Sequence, residues 1–189
     1  EDGSSDYNDE LIVLTEDKNE KDVIKAFITV EGNHARGHFN QRQIEVIRDE
    51  ILPELNTKVK TNQIGIVSPY NDQKNGLIDL QLDENIKIDT VHKYQGREKE
   101  AIIITTVDNQ ISQFVDDPKL LNVAVTRAKK FLRIVASKEI SEGNGNLSDL
   151  IKYVQYNNFE LVESNLKSIY DLLYKSMREE RLNYLKDKK

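Results

Sequence analysis

Thr90 to Val107 reads TVHKYQGREKEAIIITTV, and its second half, Ala101 to Val107, decides the fold. A run this continuously apolar and rich in β-branched residues has no face left for water, so it reads as a central strand buried on both sides. Working outward, Ile64 to Ser68 (IGIVS) and Ile86 to Ile88 precede it as short strands, with Lys25 to Val30 (KAFITV) before them and Phe131 to Ala136 (FLRIVA) after. Helical signals fall between the strands. Asn40 is an N-cap with Gln43 as its capping-box partner, and Ile44, Ile47, Ile51, Leu52 and Leu55 form one apolar stripe that runs past Pro53. Pro69 opens a second helix that extends to about Leu82, and Leu120 to Ala128 suits a third. Strand and helix in alternation predict a doubly wound, mostly parallel α/β sheet. Ser141 to Asn146 (SEGNGN) is a linker, after which Leu147 to Asn157 and Leu166 to about Leu185 read as helices, while Glu1 to Asn8 carry no periodicity.

Composition narrows the function. The chain has 189 residues, 38% of them hydrophobic, enough for one core with a small appendage. A net charge of -6 argues against adhesion to nucleic acid by bulk positive charge, so any such contact has to be local. The absence of cysteine excludes disulfides, thiolate metal sites and cysteine nucleophiles, and three histidines spread over the chain make no metal cluster. No apolar run approaches the roughly 18 residues of a membrane span, and the acidic start is unlike a signal peptide, which implies a cytoplasmic protein.

In open parallel sheets the working loops follow the strands' carboxyl ends, and three loops here are unusual. Ser68-Pro69-Tyr70-Asn71-Asp72-Gln73 sets a hydroxyl and an aromatic ring beside a helix N-terminus, where they can hold a phosphate backbone or stack a base. The same residues are equally an ordinary cap with Pro at the first helical position. Thr90 to Glu100 crowds polar and charged groups around Gly96, more than a strand connection needs. There Gly96 permits close backbone approach to a phosphate, Arg97 and Lys99 offer cations, and Glu98 can accept from a ribose hydroxyl, although a solvated charged turn has a similar composition. In Leu120 to Lys130, Arg127 on a short helix can reach a γ-phosphate, or can simply sit at a helix C-terminus.

Taken in order, these segments resemble the C-terminal motor domain of superfamily-1B helicases, the group that includes the nonsense-mediated-decay RNA helicase and many bacterial helicase-like proteins. IGIVSPYNDQ matches the family's strand followed by T/S-P-Y and a Gln. TVHKYQGREKE departs from QGREKD only at Glu100, and KLLNVAVTRAKK matches R-R-L-N-V-A-L-T-R-A-K. The resemblance covers about Phe27 to Ser137 and implies a RecA-like fold of the P-loop NTPase type over 25–140, between a boundary segment 1–24 and a helical C-terminal extension 141–189.

It also implies roles. Gly96 and Glu98 would face ATP, Arg127 would be the arginine finger, and Ser68, Pro69, Tyr70, Thr90 and His92 would lie along single-stranded DNA or RNA. Gln95 and Arg97 would couple the two sites. Members often carry Asp where His92 stands. They place a second γ-phosphate Arg where Gln41 stands; the candidate for that contact here would be Arg42, although it is one residue on and about 100° round a helix. No G-x-x-x-x-G-K-[ST] loop occurs anywhere in the chain. ATP and Mg2+ would therefore be held mainly by the N-terminal RecA-like domain of the same protein, and this chain alone would not hydrolyse ATP. Two other readings stand beside an ATP-driven helicase: an inactive RecA-like binding or scaffolding module, and an independent small α/β enzyme, which would lack a carboxylate or metal cluster.

Overall fold

The structure, a computed structural model, describes residues 23–29, 35–80, 83–94, 98–113, 115–157, 159–164 and 166. Gln95, Gly96 and Arg97, the N-terminal segment 1–22 and, apart from Leu166, the helix expected to reach Leu185 lie outside the described residues.

Strand β1 (Ile24–Thr29) leads to a two-residue hairpin, β2 (Ala35–Arg36) and β3 (Phe39–Asn40), which pair antiparallel. Strands β4 (Ile64–Ser68), β5 (Lys87–Thr90), β6 (Lys99–Thr105), β7 (Ala128–Ser137) and β8 (Glu160–Ser164) join β1 in one sheet of order β5-β4-β6-β7-β1-β8. Every pairing in that sheet is parallel. This is the doubly wound, parallel α/β arrangement that the alternation of elements predicts, with β6 inside the sheet as its isoleucines require.

Alternation along the strands divides the core in two. Ile102 and Ile104 of β6, with Ala26, Ile28, Leu132, Ile134 and Ala136, face α4 (Pro118–Val125), α5 (Lys138–Ser141) and α6 (Asn146–Tyr156). Ala101 and Ile103, with Phe27, Ile64, Ile66 and Val135, face the helix that starts at Asn40 and α3 (Asn71–Asp79). The helix from Asn40 comprises α1 (Gln41–Val46), a π turn (Ile47–Ile51) and α2 (Leu52–Asn56). Pro53 has no N–H to return to an α ladder; the π turn, closed by Leu52 N–H on Ile47 O, carries the helix across it. The inserted residue keeps Ile44, Ile47, Ile51, Leu52 and Leu55 on one buried face.

Several boundaries differ from expectation for local reasons. Helix α3 begins at Asn71, not Pro69, because Tyr70 is its extended cap residue. Helix α4 ends at Val125: Arg127 N–H falls back to Ala124 O at 3.4 Å, an i to i−3 closure, so Arg127 stands in the turn before β7 and not on the helix. Thr90 closes β5. The region expected as a helical extension supplies α6 but also β8, which pairs with β1 from Lys25↔Glu160 to Thr29↔Ser164, so 160–164 belong to the main sheet. No helix among the described residues is long and apolar enough to cross a membrane.

Candidate functional site

At the carboxyl edge of the sheet, Ser68 closes β4 and is fully buried. Its hydroxyl is engaged twice by Tyr70: it accepts from Tyr70 N–H at 3.1 Å and donates to Tyr70 O at 3.0 Å. Ser68 therefore positions the loop; Pro69 and Tyr70 are half-buried at its rim, and Asn71 and Asp72 are exposed. The Tyr70 hydroxyl donates to Asp108 Oδ2 at 2.8 Å, and Ser112 Oγ donates to the same oxygen at 2.8 Å. Burial, reinforced by that carboxylate, raises the Tyr70 phenol above its ordinary pKa. Over the other side, the His38 ring stacks on Tyr70 with centroids 4.0 Å apart and planes 24° from parallel.

Ser68 is in register with Thr90, which brings the second motif to the same edge. Beyond Thr90 a single 3-10 turn, Val91–Tyr94, buries Val91 and Tyr94 and leaves His92 and Lys93 exposed. What fixes that turn is a glycine: a Cβ on Gly65 of β4 would lie 1.9 Å from Tyr94 Oη, so only glycine lets the ring lie across the strand.

Beneath this edge runs a buried polar network that sequence reasoning missed. Asn40 Oδ1 accepts from Gln43 N–H at 3.2 Å, as the cap predicts, but the Gln43 side chain does not return to Asn40. Gln73, from α3, takes that place: its Oε1 accepts from Asn40 N–H at 2.7 Å, and its Nε2 donates to Asn40 O at 3.3 Å and Thr105 Oγ1 at 3.1 Å. Gln43 reaches the end of β6 instead. Its Oε1 accepts from Thr105 Oγ1 at 2.6 Å and Val107 N–H at 2.9 Å, and its Nε2 donates to Thr106 Oγ1 at 3.0 Å. Asn40 Nδ2 donates to Val107 O at 2.8 Å. Val107 is clamped on both sides in a left-handed conformation, φ 66°, which is costly for a β-branched residue. The central strand ends here, and the turn places Asp108 against Tyr70. A visible signal existed in the glutamines placed close to apolar helical stripes, but not their partners.

The amino edge carries the other charged groups. Lys99 pairs with Ala128, and Lys99 N–H donates to Arg127 O at 3.1 Å, so Glu98 and Arg127 stand side by side just before β6 and β7. Arg127 is half-buried; Nε donates to Val123 O at 3.3 Å and Nη2 to Thr126 Oγ1 at 3.4 Å, both long. Among the described residues no carboxylate pairs with it. Glu98 pairs with Lys129 at 3.1 Å, but with 51% and 57% of the side chains exposed such a pair is easily exchanged.

Arg42 is not at this edge. It lies in the first turn of α1, which Asn40 ties to Val107 beyond the carboxyl end of β6, whereas Arg127 precedes the strands' amino ends. At about 3.3 Å per residue the length of β6 separates them by roughly 20 Å. The helical phase turns Arg42 inward to 3% exposure, where burial, against the opposing pull of Glu45, lowers its pKa, and leaves Gln41 outside on Glu45 at 3.1 Å.

A sequence profile described as an AAA domain matches residues 6–139. The chain belongs to this AAA-domain family. Among relatives, the DNA polymerase alpha-associated DNA helicase A of Saccharomyces cerevisiae is 36% identical over 57% of this chain and 17% of its own length. An uncharacterized ATP-dependent helicase of Methanocaldococcus jannaschii is 30% identical over 74% of this chain and 22% of its own. Regulator of nonsense transcripts 1 of Dictyostelium discoideum is 35% identical over 57% of this chain and 9% of its own. The chain thus spans about a fifth or less of these relatives. It is a helicase-family AAA domain related to the nonsense-transcript regulators.

Within this AAA domain the two groups of motif residues occupy opposite edges of one sheet. Pro69, Tyr70, Thr90 and His92 share the carboxyl edge, while Glu98 and Arg127 share the amino edge.

Proposed function

We propose that this chain is the second motor domain of an ATP-driven helicase or translocase of the superfamily-1B type. The N-terminal RecA-like domain of the same protein holds ATP and Mg2+, and this domain closes on them with its amino edge. Glu98, with Gly96, meets the nucleotide, and Arg127 points its guanidinium at the γ-phosphate. Water attacks the γ-phosphorus, the bond to the β–γ bridging oxygen breaks, and Arg127 offsets the charge that spreads over the departing phosphoryl oxygens. Mg2+ held by the N-terminal RecA-like domain would supply neutralisation of the phosphate charge. Gln95 and Arg97 couple that event to the carboxyl edge. There Pro69, Tyr70, Thr90 and His92 line the path of single-stranded DNA or RNA, with Ser68 positioning Tyr70. Closure and reopening of the two domains step the strand along.

The observation that carries this reading is Arg127 itself: half-buried beside Glu98, on two long hydrogen bonds, with no acidic partner among the described residues. A structural arginine would be expected to hold a carboxylate there; one awaiting phosphate would not. The test is ATP turnover by the full-length protein, with and without single-stranded DNA or RNA, beside Arg127→Ala and the isolated chain. Stimulated turnover that falls at least about 100-fold in Arg127→Ala, with a silent isolated chain, is the expected result. Turnover by the isolated chain, or a full-length protein indifferent to Arg127, overturns it and favours an independent enzyme or an inactive binding module.

A further inference from the structure

We propose that His38 is a nucleobase-stacking residue. Its ring is the outer step of a two-ring platform, His38 on Tyr70, that receives an unpaired base at the carboxyl edge. The inference rests on the reading of that edge as the strand track and extends it to a residue outside the matched motifs.

The geometry argues first from preorganisation. Tyr70 is held by its N–H and its carbonyl on Ser68 and by its hydroxyl on Asp108, so its ring has one orientation. His38 lies against that ring at stacking distance. It sits in the turn between β2 and β3, which Gly37 permits by taking φ 59°. The following residues are anchored: Phe39 lies so close to α3 that a Cβ on Gly76 would come within 2.2 Å of its ring, and Asn40 is tied to Gln73 and Val107. An imidazole held this way loses little further freedom when a base settles on it, and that saving translates into affinity.

Exposure argues next. His38 is exposed, so stacking on Tyr70 leaves its outer face open to solvent. A ring whose purpose was only to cover Tyr70 would serve as well with an aliphatic side chain. A flat, exposed aromatic face is instead what an unpaired base recognises, because every base has a π-face and none needs a matching hydrogen-bond pattern. The partner is therefore a single strand read without sequence preference at this position.

The test measures binding of fluorescent single-stranded DNA and RNA oligonucleotides by the full-length protein. It compares His38→Ala, His38→Phe and Tyr70→Ala with the unaltered protein, using 2-aminopurine in the strand as a reporter of stacking. His38→Ala is expected to weaken binding by about 5- to 100-fold and to abolish the quenching of 2-aminopurine at one position, while His38→Phe restores both. Equal losses in His38→Phe and His38→Ala would mean that the imidazole acts through a hydrogen bond or charge, and would overturn the stacking assignment. Loss in Tyr70→Ala with none in His38→Ala would sink the inference and leave the track reading standing. A protein that binds strands normally with all three substitutions, or binds no strand at all, would remove the track from this edge and His38 with it.

Discussion

Replacing Gln43 by Ala should destabilise this domain far more than its position, two residues into a helix, suggests. Three groups lose a partner at once: Val107 N–H at 2.9 Å, the Thr105 hydroxyl at 2.6 Å and Thr106 Oγ1 at 3.0 Å. All three residues are at most 1% exposed, so water does not replace the amide without opening the fold. The Thr106 hydroxyl can rotate, but Val107 N–H is fixed by its backbone and Thr105 already accepts from Gln73, leaving two donors without an acceptor. At about 1–3 kcal/mol for each of the two orphaned donors, the loss comes to roughly 2–6 kcal/mol, a large share of the 5–15 kcal/mol by which domains are stable. Val107 adds a limit to this figure: its left-handed backbone stores about 1–3 kcal/mol, and relaxation of 106–108 would recover part of it. That relaxation would carry Asp108 away from Tyr70, so stability and the track should suffer together.

The assay is urea unfolding of the chain followed by circular dichroism, with Gln43→Ala, Gln43→Met and Gln41→Ala compared at one pH. Gln43→Met keeps the volume and removes the amide, and should lose nearly as much as Gln43→Ala. Gln41 is exposed and its amide donates to Glu45, so its replacement should stay within about 0.5 kcal/mol of the unaltered chain. Gln43→Met as stable as the parent, with the same dependence on urea, would refute the claim that the amide and not the packing holds Val107.

Gly65→Ala should cost about 1–3 kcal/mol despite the stiffer chain, since the new methyl would meet Tyr94 Oη at 1.9 Å and Ile102 Cδ1 at 3.0 Å; Tyr94→Leu in the same chain should recover part of the loss, and an unshifted unfolding midpoint would disprove the clash. Glu54 should control the acid limb of stability. Burial pushes its carboxyl up, but hydrogen bonds from Lys58, Arg133 and Lys25 outweigh it and hold the folded value below the ordinary one of about 4.3. Its contribution is then complete above about pH 4.3 and lost as pH falls through the folded value, so Glu54→Gln should flatten the decline in melting temperature between about pH 5 and 3. It should also destabilise at pH 7, where the buried Arg133 guanidinium loses the Glu54 carboxylate 2.8 Å away; an unchanged acid limb would count against the cluster.

What could be read from the sequence follows the range of the forces involved. The isoleucines of β6 declare a central strand because burial on two faces is a property of each residue taken alone, and Asn40 declares a helix start because a cap is satisfied within three residues. Strand β8 could not be declared that way: ELVES at a sheet edge is half exposed, and only the parallel pairing with β1 makes it a strand. Gln43 and Gln73 exchange the roles that local chemistry suggests, since the nearest free acceptor for Asn40 N–H is 33 residues along the chain and not three. The same reasoning separates Arg42 from Arg127. One residue of helical phase decides whether a guanidinium faces the core or the solvent, and the length of β6 sets two arginines at its opposite ends apart. Glu98 and Arg127, 29 positions apart, meet because Lys99 and Ala128 are paired in adjacent strands. A motif names the residues that a site needs; the register of two strands determines whether they can act on the same atom.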